Sequence, residues 1–376
     1  MRTRICDLLD IQYPIVGFTP SPEVAAAISR AGGLGMLGAI RYTKEEELAE
    51  ALDFMDEATE GKPYGLDIVM PNKVVGGEMP DLESMISPKH RAFVEDVLQR
   101  FGVPDLPDDA KGPAAITGWM HDFGKRQVEI ALQHPIKLLA NALGSPPPDV
   151  IQQAHDAGVL VAALAGKPKH AAAHRRAGVD IVVAQGHEAG GHTGEVTSMV
   201  LVPEAVDAVD GAPVLAAGGI GTGRQIAAAL ALGADGVWMG SVWLTSAEYQ
   251  VEPQQASGYS ITQEKLLAAT SSDTVRSRVI SGKPARMLKT PWTEAWTAEG
   301  SPGTLPMPLQ GLLVAGAEAR IRHHQSRDLL GVPVGQIVGK MNAVRPVADI
   351  IASLVAEFDV AAGRVTACAA SPSSPS

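Results

Sequence analysis

The chain has 376 residues, a hydrophobic fraction of 45% and a formal net charge of −11, enough for a full buried core in two or three domains or in one α/β barrel. The acidic balance, with no long basic run, excludes nucleic acid as a partner, and no apolar stretch approaches the roughly 18 residues of a membrane span. The start MRTRIC lacks the apolar core of a secretion signal, and the two cysteines, Cys6 and Cys368, form no disulfide framework; together they predict a cytoplasmic protein without a membrane partner.

Taken in order, Pro14–Gly17 is the first strand candidate, and Phe18-Thr19-Pro20-Ser21-Pro22 leads into a small-residue helix, Glu23–Ala31. Leu34–Ile40 reads as a second strand. Thr43 as an N-cap with Glu46 three residues on predicts a helix over Lys44–Thr59. Gly65–Met70 is a third strand with Asp67 inside it; a buried, unpaired carboxylate is costly, so Asp67 must find a partner or line a cavity. Residues 71–124 break the rhythm with many Pro and Gly and one helix candidate, Pro88–Arg100, and read as an insertion after the third strand that would serve as a lid. The alternation then resumes with helix Gln127–Gln133, strand Ile136–Leu143, helix Asp149–Ala157, strand Leu160–Leu164 and helix Lys169–Ala177. Strand Asp180–Gln185, helix Val202–Val209, strand Pro213–Ala217, helix Arg224–Leu232 and strand Asp235–Met239 complete it.

Eight apolar strands separated by helices predict a (β/α)8 TIM barrel over residues 1–241, with the insertion after strand three. Gly158, Gly178 and Gly233 sit where left-handed helix caps lead into strands. Residues 242–360 read as a C-terminal helical region packed beside the barrel mouth, with helices near 311–328 and 346–357. Residues 361–376, ending in ACAASPSSPS, read as a disordered tail.

Chemistry concentrates in DIVVAQGHEAGGHTGE, Asp180–Glu195, where a strand passes into a polar, glycine-rich loop. HEAGGH has HExxxH spacing, not the HExxH of a zinc helix, and Gly190 and Gly191 make a poor helix, so no metal is expected. Adjacent glycines instead let backbone N–H groups approach a flat ligand or an anion. His187, next to the strand end, reads as a structural residue, and His192 as the catalytic one, suited to proton transfer near neutrality.

A second signal lies one and two strands on. Gly218-Gly219-Ile220-Gly221-Thr222-Gly223 opens a helix after strand seven, and strand eight ends in Trp238-Met239-Gly240-Ser241. Loops after the seventh and eighth strands of a barrel commonly bind phosphate through backbone N–H groups. GIGTG has neither the position in the chain nor the following acidic residue of a dinucleotide fingerprint. A phosphate site beside a flat-ligand loop suits FMN. Pyridoxal phosphate is disfavoured, because no Lys stands at a strand end to form a Schiff base.

With these motifs in place, AQGHEAGGHTGE, AAGGI and GVWMGS, together with AGGLGMLGA, KPYGLDIV, ALGSPPPDVI and AATSSDTVRSRVISGKPARML, resemble the nitronate monooxygenase family from about Arg4 to Asp359. The resemblance implies an FMN-bound barrel that oxidises alkyl nitronates, such as propionate 3-nitronate, with molecular oxygen to a carbonyl compound and nitrite. It assigns Gln185, Gly190 and Gly191 to the flavin, and Gly218, Gly219, Trp238, Met239, Gly240 and Ser241 to its ribityl phosphate end. It makes His192 the catalytic histidine, taking an α-proton or steadying the anionic nitronate. Two places depart from the pattern. Asp67 stands where the family usually has Asn against the flavin pyrimidine, and Ala140-Asn141-Ala142 where it often has His. Two other functions stay open: an FMN-dependent NAD(P)H oxidoreductase of the enoyl-acyl-carrier-protein or quinone reductase type, and a flavin-binding protein without turnover.

Overall fold

The structure is a computed structural model that describes residues 1–70, 79–108 and 121–370. Its strands are β1 (Ile15–Thr19), β2 (Leu34–Gly38), β3 (Tyr64–Ile68), β4 (Leu138–Asn141), β5 (Leu160–Ala165), β6 (Ile181–Gln185), the two-residue β7 (Gly191–His192), β8 (Val214–Ala217), β9 (Gly236–Met239), β10 (Thr274–Ser277) and β11 (Ala285–Leu288). The helices in the first half are α1 (Arg4–Leu9), α2 (Pro22–Arg30), α3 (Glu45–Ala58), α4 (Met79–Ser84), α5 (Pro88–Arg100), α6 (His121–Ala131) and α7 (Pro148–Asp156). Those that follow are α8 (Pro168–Arg176), α9 (Ser198–Ala208), α10 (Gly223–Ala231), α11 (Ile261–Ala268), α12 (Pro291–Ala295), α13 (Leu309–His323) and α14 (Val347–Ala370).

Eight parallel strands close in the order β1-β2-β3-β4-β5-β6-β8-β9, with β9 pairing back onto β1. All eight strands expected from the sequence are present, and the fold is a (β/α)8 barrel. Side-chain alternation sorts each strand into two faces. Val16, Leu34, Met36, Leu138, Ala140, Val183, Leu215, Ala217 and Trp238 share one apolar cluster, the barrel interior. Leu37, Leu66, Ile68, Leu139, Val161 and Ala163 share another, beneath the helices.

Local chemistry sets the boundaries. Ser21 caps α2 by accepting from Val24 N, and Pro22 fills its first turn. Gly158, Gly178 and Gly233 take φ of 73°, 94° and 97° after α7, α8 and α10, as the sequence predicts. The N-cap of α3 is Lys44 without a side-chain bond, so Thr43 does not serve there. Gly35 shows why the barrel needs small residues: a Cβ there would lie 1.9 Å from the carbonyl oxygen of Ala25 in α2. Gly35→Ala is expected to cost at least the upper end of the roughly 1–3 kcal/mol typical of overpacking. Denaturant titration should show a lower midpoint with an unchanged slope.

The insertion and the C-terminal stretch meet. Val94, Val97 and Leu98 of α5 share a cluster with Trp292, Trp296, Leu313 and Val314. Arg320 of α13 reaches Glu95 at 2.8 Å and the carbonyls of Val103 and Pro104 at 2.8 and 2.9 Å. Residues 71–78 and 109–120 of the expected lid lie outside the described residues. The C-terminal stretch adds strands to the expected helices: β10 and β11 form an antiparallel pair, and β11 pairs with β7.

Helix α14 packs against α10 and α2, where a barrel's eighth helix belongs. The barrel expected to end at residue 241 is therefore completed only from Val347. The expected disordered tail is also corrected. α14 continues through Ala370, because its apolar, alanine-rich sequence propagates helix past the packed part. Residues 371–376 lie outside the described residues. Among the described residues, no helix is long and apolar enough to cross a membrane.

Candidate active site

The parallel strands put every C-terminal end at one mouth of the barrel. Since β6, β8 and β9 are neighbours, Gln185, the Gly218-Gly219 turn and the Trp238–Ser241 turn lie side by side there. Asp67 stands on β3, in register with Gly38 of β2 and Ala140 of β4.

The loop after β6 is tied down at many points. Gly186 N donates to Ala217 O at 2.9 Å and His187 N to Val196 O at 2.8 Å. Ser198, the first residue of α9, is the staple. Its Oγ reaches the carbonyls of Ala217 (3.2 Å) and Gly218 (2.9 Å), and its N–H and Oγ–H donate to the Glu188 carboxylate at 3.0 and 3.1 Å. A carboxylate at a helix N-terminus also complements the helix dipole. A Cβ on Gly186 would lie 2.1 Å from Ser198 Oγ, so the glycine serves this staple. Sequence reasoning missed Ser198; Thr197-Ser198 before an apolar run was the available signal.

The two histidines of the loop go to different partners. His187 Nδ1 lies 3.4 Å from Gly194 O, and its carbonyl accepts from Nε of the buried Arg286 at 3.1 Å. His187 thus holds the loop, as its position beside the strand predicts. His192 lies in β7, paired with Ala285 of β11. Its Nε2 is 2.7 Å from Ser281 Oγ. It is partly buried rather than exposed, and it has the hydrogen-bonded seat that the sequence did not reveal. Burial, and then the nearby Lys283 ammonium, lower its pKa to about 4, so it is uncharged near neutrality. The hairpin that seats it is cationic. Arg276 donates to Thr193 Oγ1 and O at 3.2 and 3.1 Å, and Arg286 to Thr274 Oγ1 at 3.1 Å. Ser281 and Lys283, beside His192, and Arg276 and Arg286 of the same hairpin come from beyond residue 270 and were not foreseen at this loop.

The glycines expected at a cofactor divide into two groups. A Cβ on Gly190 would lie 2.8 Å from Gly335 N, and one on Gly218 3.1 Å from Ala189 N, so protein backbone explains both. Gly191 has open space before it at φ 75°, and Gly219, at φ 72°, meets only Glu188 side-chain atoms, at 3.4 and 3.7 Å. Gly240 needs no left-handed backbone, since its φ is −118°, and a Cβ would make only ordinary contacts with Phe18, from 3.6 Å. Gly191, Gly219 and Gly240 thus leave room that neighbouring protein does not fill. The N–H groups of Gly219 and Ile220 donate to no protein acceptor among the described residues. The N-terminus of α10 itself is taken: Gly223 N donates to Glu357 of α14 at 3.0 Å. An anion would therefore meet the Gly219-Ile220 and Gly240-Ser241 amides. Ser241 Oγ accepts from Gly335 N at 2.8 Å and keeps its own proton to donate.

Trp238 is buried in the barrel interior and stacks on Phe18, centroids 6.2 Å apart with rings inclined 19°. Phe18 also lies against Gly38 and Gly240; it is an aromatic floor residue the sequence reading passed over. Met239 is not brought to the mouth: its side chain is buried among the outer helices, and its carbonyl accepts from Trp243 Nε1 at 2.7 Å. Asn141, one residue before the place where the resembled family often has His, is fully buried and used by the fold. Its side chain binds Met70 N (2.8 Å), Met70 O (3.0 Å) and Gly144 O (3.0 Å), holding the exit of β3. A cavity of about 300 Å³ lined by Leu160, Arg175, Asp180 and Pro213 lies at the opposite, N-terminal ends of β5, β6 and β8 and contains none of these residues.

A mouth with open glycines, unclaimed amides, an aromatic floor and an uncharged histidine fits a flat cofactor with an anionic end. Comparison with known proteins agrees. Residues 2–357 match the family described as "Nitronate monooxygenase". A monooxygenase-named protein of Mycobacterium tuberculosis is 48% identical over 372 residues, covering 95% of this chain and 96% of that one. A "Probable nitronate monooxygenase" of Staphylococcus saprophyticus is 31% identical over 77% of this chain and 79% of that one. Among solved structures, nitroalkane oxidase from Streptomyces ansochromogenes superposes with a TM-score of 0.78 at 26% identity, covering 96% of this chain and 99% of that one. FabK from Thermotoga maritima gives 0.74 at 28%, covering 98% and 99%. The protein is an enzyme of the flavin-dependent oxidoreductase type, and the chain belongs to the nitronate monooxygenase family.

Proposed function

We propose that the enzyme binds FMN across the barrel mouth and oxidises alkyl nitronates, such as propionate 3-nitronate, with molecular oxygen to a carbonyl compound and nitrite. The observation that carries this reading is His192, uncharged and seated beside a cationic hairpin. A histidine whose pKa is lowered to about 4 is a weak proton acceptor. It suits a substrate that arrives already deprotonated, and the nearby Lys283 ammonium favours an anion there. A nitronate meets both conditions better than a neutral nitroalkane. The Gly219-Ile220 and Gly240-Ser241 amides would hold the cofactor phosphate, Phe18 and Trp238 would support the ring from below, and Gln185 would contact it from the end of β6. Bound FMN would supply the electron transfer between nitronate and oxygen. His192, oriented by Ser281, would steady the anionic substrate.

A second reading, an FMN-dependent NAD(P)H oxidoreductase, is supported by the likeness to FabK. One pair of measurements separates the two. Oxygen uptake with nitrite release on propionate 3-nitronate, and no bleaching of the flavin by NADH or NADPH without oxygen, is the expected result. Rapid bleaching with no nitrite would replace the first reading by the second.

A further inference from the structure

We propose that Asp67 is kept as a neutral carboxylic acid at the floor of the barrel mouth and binds the flavin through its pyrimidine edge, its O–H donating to a ring carbonyl and its C=O accepting from the ring N–H. The inference rests on the flavin reading above and concerns a contact that reading leaves open.

The placement follows from register and alternation. On β3, Leu66 and Ile68 belong to the cluster beneath the helices, so Asp67 between them faces the barrel interior. It is the last inward position of β3, level with Gly38, the last residue of β2, and with Ala140 of β4. The inward side chains around it, Met36, Ala140, Phe18 and Trp238, are apolar. Asp67 is only 6% exposed, and its Oδ1 is buried without a hydrogen-bond partner. An orphaned polar atom in so apolar a site is costly unless a ligand completes it.

The charge state follows from the same surroundings. Neither β2 nor β4 carries a titratable side chain, and the interior-facing residues of the other strands are apolar apart from the neutral Gln185. Arg41, just after β2, is turned away: it donates to Pro20 O at 3.0 Å and lies over the Tyr42 ring. Among the described residues no cation faces the carboxyl, and burial alone pushes its pKa well above the usual carboxylate range. A neutral carboxylic acid presents one donor and one acceptor side by side. The pyrimidine edge of a flavin offers the complement, an N–H flanked by carbonyls. An ionised Asp67 would offer acceptors only and would repel those carbonyls.

Infrared spectroscopy and FMN titration test this on the full chain. The C=O band of a protonated carboxyl group should be present in the wild-type protein at neutral pH and missing from Asp67→Asn. Over the pH range in which that band disappears from flavin-free protein, wild-type FMN affinity should fall by about tenfold per pH unit relative to Asp67→Asn, whose amide keeps a donor and an acceptor without titrating. Should the variant fail to fold, the wild type decides alone: added FMN must move the disappearance of the band to higher pH. Absence of the band at neutral pH, or parallel pH courses for wild type and variant, or an unmoved band, would overturn the inference while leaving FMN binding itself intact. No FMN binding by the wild type would instead sink the flavin reading, and this inference with it.

Discussion

His192→Ala keeps its flavin and loses turnover on the order of 10²–10⁴-fold, the range typical of a group that handles charge or protons at the reacting centre. The retention follows from the geometry. His192 hangs from the short β7 and is held by Ser281, while the amides proposed for the phosphate belong to the ends of β8 and β9. The imidazole can therefore be removed without disturbing them. Undiminished oxygen uptake would remove His192 from the reaction, and loss of flavin would recast it as a binding residue. The pH course adds a second handle. With its pKa lowered to about 4, His192 stays uncharged well below the 6.5 of an ordinary histidine. Turnover on a nitronate should not decline through pH 6.5 on its account, only on approaching about 4. Stability runs with the same sign. The folded state binds this proton less readily than the unfolded chain, so the contribution of His192 is full above 6.5 and is lost as pH falls from 6.5 towards 4. Denaturation midpoints of wild type and His192→Gln, compared at pH 7 and pH 4.5, should converge or cross toward acid.

Gly240→Val folds like the wild type and is isolated poor in flavin, with FMN affinity lower by about tenfold or more, equivalent to at least about 1.4 kcal/mol. Gly240 is the clean position for this test. Gly219 takes φ 72°, so a side chain there would strain the backbone whatever the ligand does. Gly240 has φ −118°, and a Cβ on it touches only Phe18 at ordinary contact distance. Nothing in the described protein requires glycine at 240, which leaves ligand approach as the reason for it. Fluorescence of released flavin and a thermal melt on the same sample separate the outcomes. Normal flavin content would move the phosphate away from the end of β9, whereas a lowered melting temperature with normal content would make Gly240 a packing residue.

The sequence by itself determined the barrel. Eight apolar runs at strand length, helices between them and glycines at the left-handed caps of α7, α8 and α10 are local signals, each read over a few residues without knowledge of the rest. It also singled out His192, Gly219 and Gly240, because strand ends in a parallel barrel converge on one mouth whatever the loops do. Partners brought from far along the chain were beyond it. Ser281 reaches His192 across 89 residues, and Glu357 reaches Gly223 across 134. Gly190 looked like a ligand glycine until Val334 and Gly335 were seen packed on it. A helix near 346–357 was legible locally, but it lies more than a hundred residues after the strand it follows in the barrel, and only its packing against α10 and α2 makes it the eighth helix. Asp67 shows the division most sharply. Its sequence position announced a carboxyl group that needed a partner, but its charge state depends on which side chains surround it, and those come together only in the closed barrel.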